Sequence, residues 1–191
     1  WTLESAEAAC ADDDLDGAAV LDGLARLVEK SLVLMDADGA RYRMLETVRA
    51  YALEKLAEAG DEAATRTRHL GHFLALAEAA RPHLAGPVQG LWSGRLDRER
   101  ENFIAAFAFS AQAEGAEQAG VRLMHALRPY LITRGSLSTG LQFATTLLAR
   151  PGLQAPDLSR CMALFGAGQF CMHLGRDVEA QTEDALLDLA Y

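Results

Sequence analysis

Thirty-six alanines and thirty leucines in this chain stand against only seven valines and two isoleucines. Sheets cover their faces with β-branched and aromatic residues, whereas helices draw on Ala and Leu. So few strand formers cannot build a sheet of any size, and the chain must be all or nearly all helical. At 191 residues it makes one large domain or two small ones. No run approaches the roughly 18 apolar residues needed to span a membrane. No charged segment followed by an apolar one opens the chain, so no signal peptide is read and a cytoplasmic location is expected. The formal charge of −9, from 18 basic and 27 acidic residues, argues against a generic nucleic-acid or anionic-membrane surface. Cys10, Cys161 and Cys171 form no CxxC pair, as expected of free thiols in a reducing compartment. The opening Trp1 and a close at Tyr191 inside a helical pattern suggest a piece of something longer.

The local pattern changes twice. Thr2 is placed to cap a short helix reaching about Ala11, with Leu3, Ala6 and Cys10 on one face. Asp16 is placed to cap a second, in which Val20, Leu21, Leu24, Leu27 and Val28 make one apolar stripe. The period then shortens to two. Leu32–Met35 and Arg41–Met44 flank Asp36-Ala37-Asp38-Gly39, and Asp-Gly between two such runs signals a hairpin. A helix returns with Leu45, Val48, Ala52 and Leu56, stopped by Gly60. This order is that of a winged helix-turn-helix lacking its first helix.

Beyond Asp61, a plausible cap, only helical periods remain. Leu70, Phe73, Leu74, Ala77 and Ala80 form one stripe ended at Arg81-Pro82. Leu91, Leu96, Phe103, Ile104 and Phe107 suggest one broken helix or two consecutive ones, closing at Gly115. Residues 121–148 then repeat at 161–188, an offset of 40 that pairs Met124 with Leu164, Leu127 with Ala167, Tyr130 with Phe170 and Gly135 with Gly175. It also pairs Val121 with Cys161, Leu131 with Cys171 and Gly140 with Ala180. Each copy reads as helix, Gly turn, helix, with Pro151 and Pro156 between them. Periods of this size mark stacked helical repeats. Small residues near the turn resemble the tetratricopeptide pattern, although 40 exceeds its usual length of about 34. The expected fold is mainly α: a truncated winged helix with one short β-hairpin, followed by a tetratricopeptide-like superhelix. The expected divisions are 1–60, a helical connector at 61–115, and two repeat units at 116–191.

Four stretches carry a family resemblance: Trp1–Glu7, Leu24–Val33, Arg41–Leu56 and Arg68–Glu78. They resemble the region after the nucleotide-binding core of bacterial STAND-type regulators of the LuxR/AfsR-like class. Those proteins join an NB-ARC-like NTPase module to a winged helix and then to tetratricopeptide-like repeats. The resemblance is specific over residues 1–80 and architectural beyond 115. It implies a regulatory arm whose repeat groove takes a protein partner or small inducer, and whose winged helix relays occupancy to the nucleotide-binding module. That module lies outside this chain. No GxxxxGK[ST] occurs here, so the backbone cradle and lysine that hold nucleotide phosphates are missing. No cofactor is expected in this fragment; ATP and Mg²⁺ belong to the module outside it.

His69 and His72 lie three apart, but no third metal ligand is near in sequence. Cys161 and Cys171, ten apart on a helix, stand about 15 Å apart along its axis, too far for a disulfide. They read as apolar fillers. Gly166-Ala-Gly168 reads as a packing pair, Ser136-Leu-Ser-Thr as a helix cap, and Arg98–Glu101 as a solvated run. No catalytic site is found, and the fragment is not expected to be an enzyme. Candidate groove contacts are Arg122, His125, Arg128, Gln169 and His173, and candidate wing contacts are Arg41 and Arg43. Residues 1–60 hold six basic and thirteen acidic residues. A DNA surface needs several phosphate-neutralising cations, so DNA binding by this fragment is expected to be unfavourable. A DNA-binding winged helix and a free-standing repeat scaffold remain the alternatives.

Overall fold

The computed structural model describes residues 1–37 and 39–175 of the chain. These are mostly helical, with one two-stranded sheet. They fall into two compact units that divide between His72 and Phe73.

The first unit begins with α1 (Leu3–Cys10), whose N-cap Thr2 accepts a hydrogen bond from the Ser5 amide. Asp12 accepts from the amides of Asp14 and Leu15, which turns the chain. Asp16 then caps α2 (Gly17–Glu29) by accepting from Ala19. Each cap satisfies one of the donors that a helix N-terminus leaves open. Helix α2 closes in a Schellman motif: Leu32 N–H donates to Leu27 and Ser31 N–H to Val28, with Ser31 at φ 58°. The hairpin is shorter than its apolar runs. Only β1 (Leu34–Met35) and β2 (Tyr42–Arg43) pair, antiparallel, with Leu34 opposite Arg43 and Met35 opposite Tyr42. Asp38 lies outside the described residues, and Gly39 takes the left-handed conformation expected of it. Trp1 extends this hairpin: its backbone nitrogen donates to the Tyr42 carbonyl at 3.0 Å and its carbonyl accepts from the Tyr42 amide at 2.8 Å.

Helix α3 (Glu46–Ala59) ends at Gly60, φ 80°, as its sequence predicts, but buries none of its residues. Its expected stripe is nevertheless its inner side, since Val48, Ala52 and Leu56 are half-buried while Leu45 is exposed. In α2, Val20 and Leu24 are buried and Leu27 and Val28 half-buried, while Leu21 is 45% exposed. The stripe is thus narrower than its period implies. At the start of α4 (Glu62–Ala80), Arg68 Nε donates to the Ala9 carbonyl at 2.9 Å, and its guanidinium lies 3.7 Å from Asp12.

In the second unit Phe73, Leu74, Ala77 and Ala80 of α4 are all buried, as their spacing predicts. Burying each large side chain contributes about 1.5–3 kcal/mol. A 3-10 turn, Arg81–His83, follows with Pro82 in its first turn. The segment 89–110 resolves into two helices, α5 (Gln89–Arg98) and α6 (Arg100–Ser110). Of the apolar residues that mark these helices, Leu91 and Ile104 are exposed. Glu99, expected to be solvated, is buried at the junction, where its carboxylate accepts from Asn102 at 2.7 Å.

Helices α7 (Glu117–Thr133), α8 (Leu137–Leu148) and α9 (Leu158–Leu174) pack against one another. The turns at Gly135 and Gly175 are both left-handed, at φ 69° and 63°. The first copy is thus helix, Gly turn, helix. The second helix of the other copy lies outside the described residues. The offset of 40 survives in the burial pattern: Met124, Leu127, Tyr130 and Leu131 are buried, and so are Leu164, Ala167, Phe170 and Cys171. Val121 and Cys161 break it, because Val121 is buried and Cys161 exposed. Only one of the two cysteines is therefore a core filler.

Three smaller expectations also change. Ser136 holds the N-cap position of α8 without a side-chain cap bond. Of the Gly166/Gly168 pair only Gly166 is a packing glycine: a Cβ there would meet Met124 Cε at 2.8 Å, whereas Gly168 faces open space. Gly140, a poor helix former inside the first copy, is where the Phe170 ring approaches the α8 backbone.

Candidate functional site

Two surfaces carry the candidate residues, one in each unit. In the first unit, the exposed side of α2 presents Asp22, Ala25, Arg26, Glu29 and Lys30. Beside it Leu21, Ala25, Val28, Glu29, Met35 and Tyr42 line a shallow groove between α2 and the hairpin. Its walls are apolar apart from Glu29, and Met35 is half-exposed. Of the wing arginines, Arg43 Nε lies 3.9 Å from Asp36, and Arg41 is half-buried. Arg49, just beyond, is 3.0 Å from Glu46 one turn away. Part of the wing's positive charge is therefore offset locally, although pairs this exposed are weak and screened by salt.

In the second unit the five groove candidates do not play one role. Arg122 is at the surface and holds Glu78 of α4 through two hydrogen bonds of 2.9 Å. A bidentate fork of this kind fixes geometry more than it adds stability. His125 and Arg128, further along α7, come together, with Arg128 Nη1 lying 3.4 Å from His125 Nδ1. Arg128 is only 8% exposed, and its guanidinium lies over the Phe165 ring of α9 at 4.8 Å. Arg81, from the 3-10 turn, donates through Nη1 to the His125 carbonyl. Gln169 lies one turn beyond Phe165 on α9, and His173 one turn further, exposed, with its Nδ1 2.8 Å from the Gln169 carbonyl. The first helices of the two copies thus share a face with a basic cluster at one end.

The electrostatics follow from this crowding. Burial lowers the pKa of His125, and the charges of Arg81 and Arg128 lower it further. Burial and the neighbouring Arg81 likewise push Arg128 below its ordinary value. Sequence reasoning found His125 and Arg128 but missed Arg81 and Phe165. Phe165 carried a readable signal, since the offset of 40 puts it at the place of His125 in the next copy. Arg81 carried none, because it lies outside the repeats and only the turn after α4 brings it to α7.

A second buried charge sits at the other end of α7. Glu117 accepts from Arg150 Nη2 at 3.0 Å, and Arg150 also donates to the Ala113 carbonyl. The backbone amide at the helix start, and after it Arg150, hold the Glu117 carboxyl below the usual range against the opposing effect of burial. This pair clamps the linker between the copies and serves structure. Among the described residues no three His, Cys, Asp or Glu side chains are grouped to hold a metal ion, and no helix is long and apolar enough to cross a membrane.

Residues 2–57 match the family of winged helix-turn-helix domains. This takes in α1, α2, the hairpin and most of α3. The wider chain is similar to proteins named HTH-type transcriptional regulators from Mycobacterium bovis and Mycobacterium tuberculosis. The identity is 39% over 150 residues, which is 78% of this chain and 17% of each relative. An uncharacterized protein of Mycobacterium tuberculosis is 41% identical over 76 residues, 38% of this chain and 19% of that protein. The chain spans about a sixth of the length of the regulators it matches. No solved structure matches it. The domain match assigns a winged helix-turn-helix unit to residues 2–57.

Proposed function

We propose that this chain is the winged-helix and signal-taking part of a bacterial transcriptional regulator. The observation that carries the reading is the winged helix-turn-helix match over residues 2–57, on a chain whose relatives are named as regulators. The match also favours duplex DNA as the partner of this unit, against the expectation drawn from its acidic charge. In that reading α2 enters the major groove with Arg26 and Lys30 on its exposed side, and Arg41, Arg43 and Arg49 meet phosphates from the wing side. The helical arm, read as tetratricopeptide-like, takes a protein partner or small inducer on the face shared by α7 and α9.

A second reading of the winged unit rests on two observations. Residues 1–60 carry thirteen acids against six bases, and the groove beside α2 is apolar. Both favour contact with protein, the winged unit lying as a lid on a nucleotide-binding module of the parent, where ATP and Mg²⁺ would bind. Occupancy of the arm regulates the parent only if its ligand binds one arrangement of arm and lid better than the other. Titrating a labelled duplex with the chain at about 50 mM salt separates the two readings, since counterion release is strongest there. Binding that weakens steeply with salt and is lost in Arg41→Ala/Arg43→Ala makes the unit a DNA reader. No binding up to tens of micromolar makes it a lid.

A further inference from the structure

We infer that Arg81, His125 and Arg128, with the ring of Phe165, form a binding site for a small-molecule oxyanion, a carboxylate or a phosphate. The inference deepens the reading of the helical arm as the signal-taking part, and rests on it. Three elements build the site: the 3-10 turn after α4 supplies Arg81, α7 supplies His125 and Arg128, and α9 supplies Phe165. Arg128 as a whole residue is buried. A guanidinium so placed ordinarily has a carboxylate beside it, because an uncompensated buried charge is strongly unfavourable.

Three arginines on or beside α7 each hold a carboxylate. Arg122 holds Glu78, Arg134 holds Asp97 and Arg150 holds Glu117. Among the described residues Arg81 and Arg128 hold no carboxylate. Their partners are the His125 carbonyl, the His125 ring and the face of Phe165. Among the described residues two positive charges therefore converge without a carboxylate beside them, and after burial each lowers the pKa of His125.

The chemistry of the three side chains sets the ligand class. A guanidinium only donates hydrogen bonds, so the His125 Nδ1 facing Arg128 accepts and the ring proton sits on Nε2. The site thus presents two guanidinium groups, and among the described residues its one side-chain acceptor, His125 Nδ1, already faces Arg128. That set matches the lone pairs of an oxyanion and rejects a cation. The Phe165 ring, 52% exposed, orients Arg128 from one side and gives the apolar body of a ligand a surface to lie on.

The test titrates the full 191-residue chain with inorganic pyrophosphate and, separately, with malonate, at constant ionic strength set by potassium chloride. Binding is followed by calorimetry and by the thermal midpoint, which a ligand specific to the folded state raises. Saturable one-to-one binding is expected. Arg81→Met and Arg128→Met should each weaken it about tenfold or more, the loss typical of a charged hydrogen bond. Arg134→Met, paired with Asp97 beyond the end of α7, should leave it within about twofold. Arg81 is half-exposed, so its variant keeps the test valid if Arg128→Met fails to fold, which circular dichroism checks. Pyrophosphate binding alone assigns a phosphate ligand, and malonate binding alone a carboxylate. No saturable binding of either, or unchanged binding in folded Arg81→Met, overturns the inference. If neither probe binds while groove variants still abolish the regulator's response, the oxyanion falls and the signal-taking reading stands. If a probe binds through the arginines while the response survives in every groove variant, the site stands and that reading falls.

Discussion

Replacing Gly140 by alanine tests whether the α8–α9 contact is as tight as its geometry requires. A Cβ at Gly140 would stand 2.4 Å from Phe170 Cζ and 2.5 and 2.8 Å from its two Cε atoms. Carbon atoms attract best at about 3.5–4.0 Å, so the overlap is more than about 1 Å. Phe170 is fully buried, and its ring cannot swing into solvent. Overpacking of this kind costs about 1–3 kcal/mol. It is opposed by the helix propensity of Ala over Gly, about 0.8–1.0 kcal/mol.

Gly168 supplies the control. It lies inside α9 with nothing within 4 Å of its Cβ position, so Gly168→Ala should keep the propensity gain without the clash. The two variants should therefore separate by about 1–3 kcal/mol, Gly140→Ala being the less stable. With urea m-values of about 1–3 kcal/mol/M, a 2 kcal/mol separation shifts the midpoint by about 0.7–2 M. Urea unfolding in a Trp1→Phe background leaves Trp92 as the only tryptophan and so reports on the second unit. Adding Phe170→Leu should remove most of the Gly140→Ala penalty, since the two sites are coupled only through the ring. Equal midpoints for Gly140→Ala and Gly168→Ala would refute the close-approach argument.

Two further outcomes follow from local geometry. Ser31 closes α2 at φ 58° without being glycine; Ser31→Gly should raise stability by about 0.5–1 kcal/mol in thermal melts, because the left-handed conformation penalises a Cβ. Tyr130 donates to Asp97 at 2.8 Å, and burial first, then that bond, pushes its pKa up to about 12. The neutral phenol is thus favoured by folding, and its contribution is complete below about pH 10 and lost as pH rises towards 12. Tyr130→Phe should cost about 1 kcal/mol at neutral pH, near the low end because Asp97 is partly solvated, and should remove this part of the alkaline loss.

The helices and their ends were legible because their causes are local. Thr2 and Asp16 cap, Gly60, Gly135 and Gly175 close their segments in left-handed turns, and the stripe from Leu70 to Ala80 is buried residue for residue. The winged order of α2, hairpin and α3 was also legible, since the change of period from 3.6 to 2 is written in the side chains. Burial was less so. Leu21, Leu91 and Ile104 have core character and stay exposed, while Glu99 is charged and buried. A period says which residues share a face, but only the neighbouring elements decide whether that face is covered.

The same division holds for the candidate site. The sequence by itself determined the helical class, the repeat of 40 and the presence of His125 and Arg128 on one helix, because composition and spacing act within a few turns. Only the tertiary structure decided that Arg122 is taken up by Glu78, that Gly140 is a contact rather than a weakness, and that Arg81 and Phe165 close around Arg128. These contacts join residues about 30–45 positions apart on separate elements. Their energies depend on distance and burial, which no local pattern encodes.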